Sequence, residues 1–113
     1  MKTYNHFING KEMLPNNGEY FETENPYTCE KWAEVAKGNA YDVDVAVNVA
    51  KEVFENNWSK TKPTERGKLL VRLAELVERD AQKLGEIEVQ DNGKLIAEMG
   101  AQTKYLAEWY RYF

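Results

Sequence analysis

What this chain can fold into is constrained most by residues 62–94. Their apolar positions, Leu69, Leu70, Leu73, Leu76, Val77, Ala81, Leu84 and Ile87, recur every three or four residues. That spacing builds one apolar stripe along a helix. Arg66, Lys68, Arg72, Glu75, Glu78 and Arg79 fill the opposite face. Glu75 and Arg79 stand at i,i+4 with the acid first, the favourable order for a helical ion pair. Pro63 suits a first helical position, because its missing N–H would have no partner there. Gly93 suits the residue just past a helix C-terminus. Asp80 is placed to cap a second helix after a break, so the stretch reads as two helices. The stripe is the ordinary means of holding a helix on a core and carries no chemistry itself.

The remainder of the chain supplies material to cover that stripe. Residues 1–36 read as strands and turns. A run over 4–8 leads into Asn9-Gly10, the strongest short hairpin signal, because both residues accept the positive φ of a type I′ turn. Residues 11–14 form the return strand, and Pro15-Asn16-Asn17-Gly18 a second turn. Residues 20–24 and 31–36 form two further strands, separated by Asn25-Pro26-Tyr27-Thr28, where the residue before proline avoids the helical region. Asn39 can cap a helix over 41–57, with Val43, Ala46, Val47, Ala50, Val53 and Phe54 on one face. Asp42 and Asp44 lie in its first turn, where negative charge complements the helix dipole. A last helix runs from about Ala97 to the end. The spacing thus predicts an α+β unit: antiparallel strands over 1–36, then about four helices over 39–113.

Glu108-Trp109-Tyr110-Arg111-Tyr112-Phe113 closes the sequence. A terminus is ordinarily polar, frayed or capped. An aromatic final turn expects a surface to pack against, so the chain reads as the beginning of something longer, cut after Phe113.

Several function classes find no support. The 113 residues carry a net charge of -4 with no basic block, which argues against nucleic-acid binding. No apolar run is long enough to span a bilayer, and no signal-peptide pattern opens the chain. One cysteine gives neither an internal disulfide nor a CxxC pair, and a cytoplasmic setting is the default. Cys29 lies in a turn beside Glu30, the wrong surroundings for an activated thiol. His6, the single histidine, has no partner recognisable in the sequence and reads as structural. Phosphate-binding glycine loops and zinc spacings are missing, and Asp91-Asn92-Gly93 lacks the alternating ligands of a calcium loop.

The order of the pieces, however, resembles the aldehyde dehydrogenase superfamily. Phe7-Ile8-Asn9-Gly10 is similar to its "F-I-N-G-x-W" opening and Asn25-Pro26-Tyr27-Thr28 to its "N-P-A-T-G" turn. Residues 36–47 resemble its "A-x-G-x-x-x-D-V-D-x-A-V" stretch. Glu65-Arg66-Gly67-Lys68-Leu69-Leu70 follows at family spacing, and residues 88–94 resemble "E-x-x-D-N-G-K-P". Tyr112-Phe113 falls where the family has an aromatic pair. Met13 stands near the usual Trp, Cys29 replaces the turn's Gly, and Leu95 replaces the Pro after Asn-Gly-Lys.

The resemblance implies an α/β fold for the full-length protein, with a Rossmann-like coenzyme domain of which residues 1–113 form the N-terminal part. It implies an NAD(P)-dependent oxidation of an aldehyde to a carboxylic acid, with NAD or NADP as cofactor and a homodimer or homotetramer as the assembly. The family's nucleophilic Cys, its water-activating Glu and its nucleotide-binding turn come later, so no catalytic or cofactor-binding residue is expected here and the piece alone is expected to be inactive. Two sets of residues carry over. Thr23, Glu24 and Asp91 stand where family members hold a monovalent cation. Tyr105 and Trp109 stand on the helix that borders the aldehyde tunnel, with packing against a missing sheet as the alternative. A different class of function is a stand-alone interaction module that offers the 109–113 aromatic face to a partner. The blandest is a self-contained domain with no exposed patch.

Overall fold

Asn5 divides what reads as a single N-terminal strand. In the computed structural model, which describes all of residues 1–113, β1 (Lys2–Tyr4) and β2 (His6–Ile8) belong to different sheets. The Tyr20 hydroxyl donates to Asn5 Oδ1 at 2.8 Å and holds the break. β2 pairs antiparallel with β3 (Lys11–Met13), His6 opposite Met13 and Ile8 opposite Lys11. Between them Asn9 and Gly10 take φ of 56° and 74°, the left-handed pair that a type I′ turn demands.

The other sheet has the order β1-β5-β4, with β4 at Tyr20–Asn25 and β5 at Glu30–Ala36. Here the expected antiparallel pattern gives way: β1 runs parallel to β5, Lys2 beside Ala33 and Tyr4 beside Val35. β4 already occupies one edge of β5, so β1 takes the other. Tyr4 packs edge-on against Trp32 at 6.0 Å between ring centroids, a geometry that favours aromatic pairs. Ala33 and Ala36 are the buried residues of β5.

α1 (Ala40–Asn56) starts as the sequence predicts. Asn39 accepts from the Asp42 N–H at 3.0 Å, and Asp42 accepts in return from the Asn39 N–H at 3.0 Å, closing a reciprocal capping box. Its apolar face is open, however: Val43, Val47, Val53 and Phe54 are all exposed. A 3-10 turn at Trp58–Lys60 follows.

α2 (Pro63–Asn92) corrects the expected break at Asp80. It is one unbroken helix of 30 residues, so the chain has three α-helices rather than about four. Asp80 caps nothing; its carboxylate takes two hydrogen bonds from the Arg79 guanidinium, at 3.0 and 2.8 Å. The expected Glu75–Arg79 pair is replaced as well, since Glu75 binds Arg72 at 2.7 Å. Pro63 opens the helix and Gly93, at φ 74°, ends it with its N–H on Val89 O.

The seam of α2 is made of small residues, Ala74, Ala81 and Gly85, all buried. α3 (Ile96–Tyr112) lies along that seam with Met99, Thr103 and Ala107 buried, one helical turn apart. Gly85 allows the close approach. A Cβ there would stand 3.4 Å from the Met99 backbone carbonyl. Part of the leucine stripe stays outside this seam: Leu69, Leu73 and Leu84 are exposed.

The chain divides into two compact units, residues 1–24 with 29–60, and 25–28 with 61–113. The first holds both sheets and α1; the second holds α2, α3 and the Pro26 turn.

Candidate functional site

α3 shows two faces set by its period. Met99, Thr103 and Ala107 recur every four residues and turn inward. Thr103 satisfies its buried hydroxyl by donating to Met99 O at 2.7 Å. Tyr105 and Trp109 fall on the other side, 62% and 57% exposed, with rings edge-to-face at 6.2 Å. With Ala101, Gln102 and Leu106 they line an open groove of about 500 Å³. The two residues predicted to act together are therefore brought together, on an uncovered face. Beyond them, Tyr112 and Phe113 stack edge-on at 4.9 Å and are both exposed. The residues that line the groove are mostly apolar, with polar groups only in the Gln102 amide, the Tyr105 hydroxyl and the Trp109 indole N–H. It can hold an apolar chain or ring and has no carboxylate, imidazole, amine or thiol in its lining.

The cation candidates sit at element ends. Thr23 and Glu24 are near the end of β4, in the first unit; Asp91 is in the last turn of α2, in the second. Thr23 is half-buried, and Glu24 and Asp91 are exposed. All three offer hard oxygen donors, the class suited to alkali and alkaline-earth cations rather than to zinc or copper. Nowhere do three His, Cys, Asp or Glu side chains gather as metal ligands.

Cys29 is exposed, at the end of the turn after β4, with φ 57°. A left-handed backbone is natural for Gly and strained for Cys.

One cluster was not foreseen as such. The sequence showed no recognisable partner for His6; in the fold its buried Nε2 lies 3.6 Å from Asp42 Oδ2, near the carboxylate but without a hydrogen bond. Asp42 is buried and also accepts from the Asn16 N–H at 3.1 Å. The Asn39 N–H, then the Asn16 N–H and His6, hold its carboxyl below the ordinary aspartate range, against the opposing effect of burial. The signal was present as Asn39-x-x-Asp42, a capping-box spacing. Its reach to Asn16 and His6 was not. The cluster ties β2, the turn after β3 and the start of α1 together, and every contact in it is accounted for by that structural task.

Residues 13–113 match the profile of the aldehyde dehydrogenase family. The chain belongs to that family. Along its whole length it is 39% identical to (Z)-2-((N-methylformamido)methylene)-5-hydroxybutyrolactone dehydrogenase of Acinetobacter baylyi, of which it covers 23%. It is 38% identical to an aldehyde dehydrogenase of Aspergillus niger, with 95% of this chain and 22% of that protein aligned. Among solved structures, an aldehyde dehydrogenase of Bacillus cereus in its NAD+ complex superposes with a TM-score of 0.93 at 34% identity, covering 98% of this chain and 23% of that one. The chain thus spans under a quarter of the length of the aldehyde dehydrogenases it matches. In the family's turn after Asn-Pro, Cys29 holds the left-handed backbone that the family's Gly accepts without strain. Leu95, in place of the family's Pro, has φ -67°, a value proline itself would impose.

Proposed function

We propose that residues 1–113 form the N-terminal section of an NAD(P)-dependent aldehyde dehydrogenase, which oxidises an aldehyde to a carboxylic acid. The observation that carries this reading is the superposition of almost the whole chain on under a quarter of the NAD+-bound Bacillus cereus enzyme. The open apolar faces of α1, α2 and α3 support it, because large exposed patches of this kind belong against a partner surface. In such an enzyme the nicotinamide accepts the hydride. This section supplies no acid, base or nucleophile to that step. Its work is to cover the coenzyme domain and to keep water from its core.

Two finer roles belong to the same proposal. Tyr105 and Trp109 line part of the aldehyde's approach, giving it apolar walls that favour a hydrophobic substrate tail. Thr23 and Glu24 in the first unit, and Asp91 in the second, each offer oxygen donors of the kind a monovalent cation takes. The assembly is a homodimer or homotetramer, in the cytoplasm. No helix is long and apolar enough to cross a membrane.

The test is reconstitution. The purified chain alone should reduce neither NAD nor NADP when given an aldehyde. Co-expressed with the Bacillus cereus enzyme deprived of its matching section, it should restore NADH production. Turnover by the chain alone, or a complement that is never rescued, would refute the proposal.

A further inference from the structure

The sequence contains three Asn-Gly pairs, at 9–10, 17–18 and 92–93. Each can in principle lose ammonia by the same chemistry. The amide nitrogen of the glycine bonds to the asparagine Cγ, giving up its proton to solvent base. The Cγ–Nδ2 bond breaks and ammonia leaves. Water then opens the resulting five-membered imide at either carbonyl, leaving aspartate or isoaspartate. No oxidant or reductant takes part. The step needs a glycine N–H that is free to attack and an asparagine amide free to rotate.

The three pairs differ on both counts. At Asn92, the side-chain amide is held twice: Nδ2 donates to Glu88 Oε1 at 3.1 Å and Oδ1 accepts from the Lys94 N–H at 2.9 Å. Its would-be nucleophile is also engaged, since the Gly93 N–H donates to Val89 O at 2.9 Å. At Asn17, Oδ1 accepts from the Glu19 N–H at 3.0 Å, and the Gly18 N–H donates to Pro15 O at 2.9 Å. Asn9 has neither restraint. It is exposed at the tip of the β2–β3 hairpin, its amide makes no hydrogen bond within the chain, and the Gly10 N–H is likewise free. The turn is open on the side of the Gly10 α-carbon, where an added Cβ would meet no atom within 4 Å.

The geometry points to Asn9 as a site of spontaneous deamidation, with Asn17 and Asn92 protected by the hydrogen bonds on their amides and on the glycine nitrogens that follow. The consequence is local and directional. The product places a new negative charge in the groove shared by Asn9 and Glu52, where like charges repel. Isoaspartate also inserts an extra backbone carbon into a two-residue turn whose register depends on its length. The β2–β3 pairing then loosens, His6 opposite Met13 included.

The experiment ages the intact chain at mildly alkaline pH, with and without denaturing urea, and follows all three sites by peptide mass mapping. In the native chain Asn9 should convert about tenfold or more faster than Asn17 and Asn92, a factor set by the hydrogen bonds that must break first. In urea the three rates should converge, because the discrimination resides in the fold. The N9Q variant should remove the fast conversion and leave the slow two unchanged. Equal rates in the native chain, or Asn17 or Asn92 leading, would overturn the assignment. So would a preference for Asn9 that persists undiminished in urea.

Discussion

Arg111, in the last turn of α3, grips Glu78 of α2 with both arms of its guanidinium, at 2.9 and 2.5 Å. The same side chain binds Glu108 one turn back at 2.6 Å. The pairing is planar and two-point, like that of Arg79 with Asp80, but it joins two helices where the Arg79 pair stays within one.

Arg111→Ala is expected to lower the unfolding midpoint of the second unit, by more at low salt than at high. R111K should restore little of it, because ammonium cannot make the paired geometry. The hydrogen bond from Arg111, and then its charge and that of Lys104, hold the Glu78 carboxyl below its ordinary value of 4.5, against partial burial. A depressed carboxylate contributes stability at neutral pH that is lost as pH falls through and below that value. Denaturation followed across acid pH in wild type and E78Q checks this: the variant should lose part of the acid-dependent slope.

Met99 is 1% exposed and is the largest fully buried side chain. Met99→Ala should cost about 2–5 kcal/mol, through lost burial and the cavity left between α2 and α3. Urea unfolding monitored by helical circular dichroism measures it. Gly85→Leu should be damaging by the opposite route, forcing a side chain against the Met99 backbone.

Two left-handed positions should answer in opposite directions. Cys29→Gly is expected to stabilise the chain by about 1 kcal/mol, because glycine accepts φ 57° without a Cβ penalty. Gly93→Ala should destabilise by more than about 1 kcal/mol, since its new Cβ would stand 2.7 Å from Pro26 Cγ on a backbone at φ 74°. Thermal melts of both variants against wild type decide the signs.

Asp42→Asn removes one of two carboxylate oxygens that accept backbone N–H groups, Oδ1 from Asn16 and Oδ2 from Asn39. One of those donors then meets an NH2 group. The variant should be less stable at neutral pH, and its stability should vary less with pH below the ordinary aspartate value of 3.8. Unfolding curves at pH steps through the acid range test both statements.

What the sequence made legible was local. Asn9-Gly10, Asn39, Pro63 and Gly93 each act within a turn, so their residue types alone report the geometry found. The continuity of α2 was not legible at Asp80, because the outcome depends on α3 lying along Ala81 and Gly85. The same holds for the parallel partner of β1 and for His6, whose nearest carboxylate is distant in sequence. For the candidate site, the spacing of Tyr105 and Trp109 forecast a shared face. Their exposure depends on which side of α3 is covered, which period alone does not give.

The parallel pairing of β1 with β5 sets an order of events during synthesis. Lys2 to Tyr4 leave the ribosome before their partners Ala33 to Val35, which are made much later. The β2–β3 hairpin and the β4–β5 turn can form from neighbouring residues as they emerge, whereas β1 must wait and close a long loop. The first strand of the chain is thus the last of its sheet to lock. Until then its unpaired backbone edge is the part of the nascent protein that a chaperone has most reason to hold.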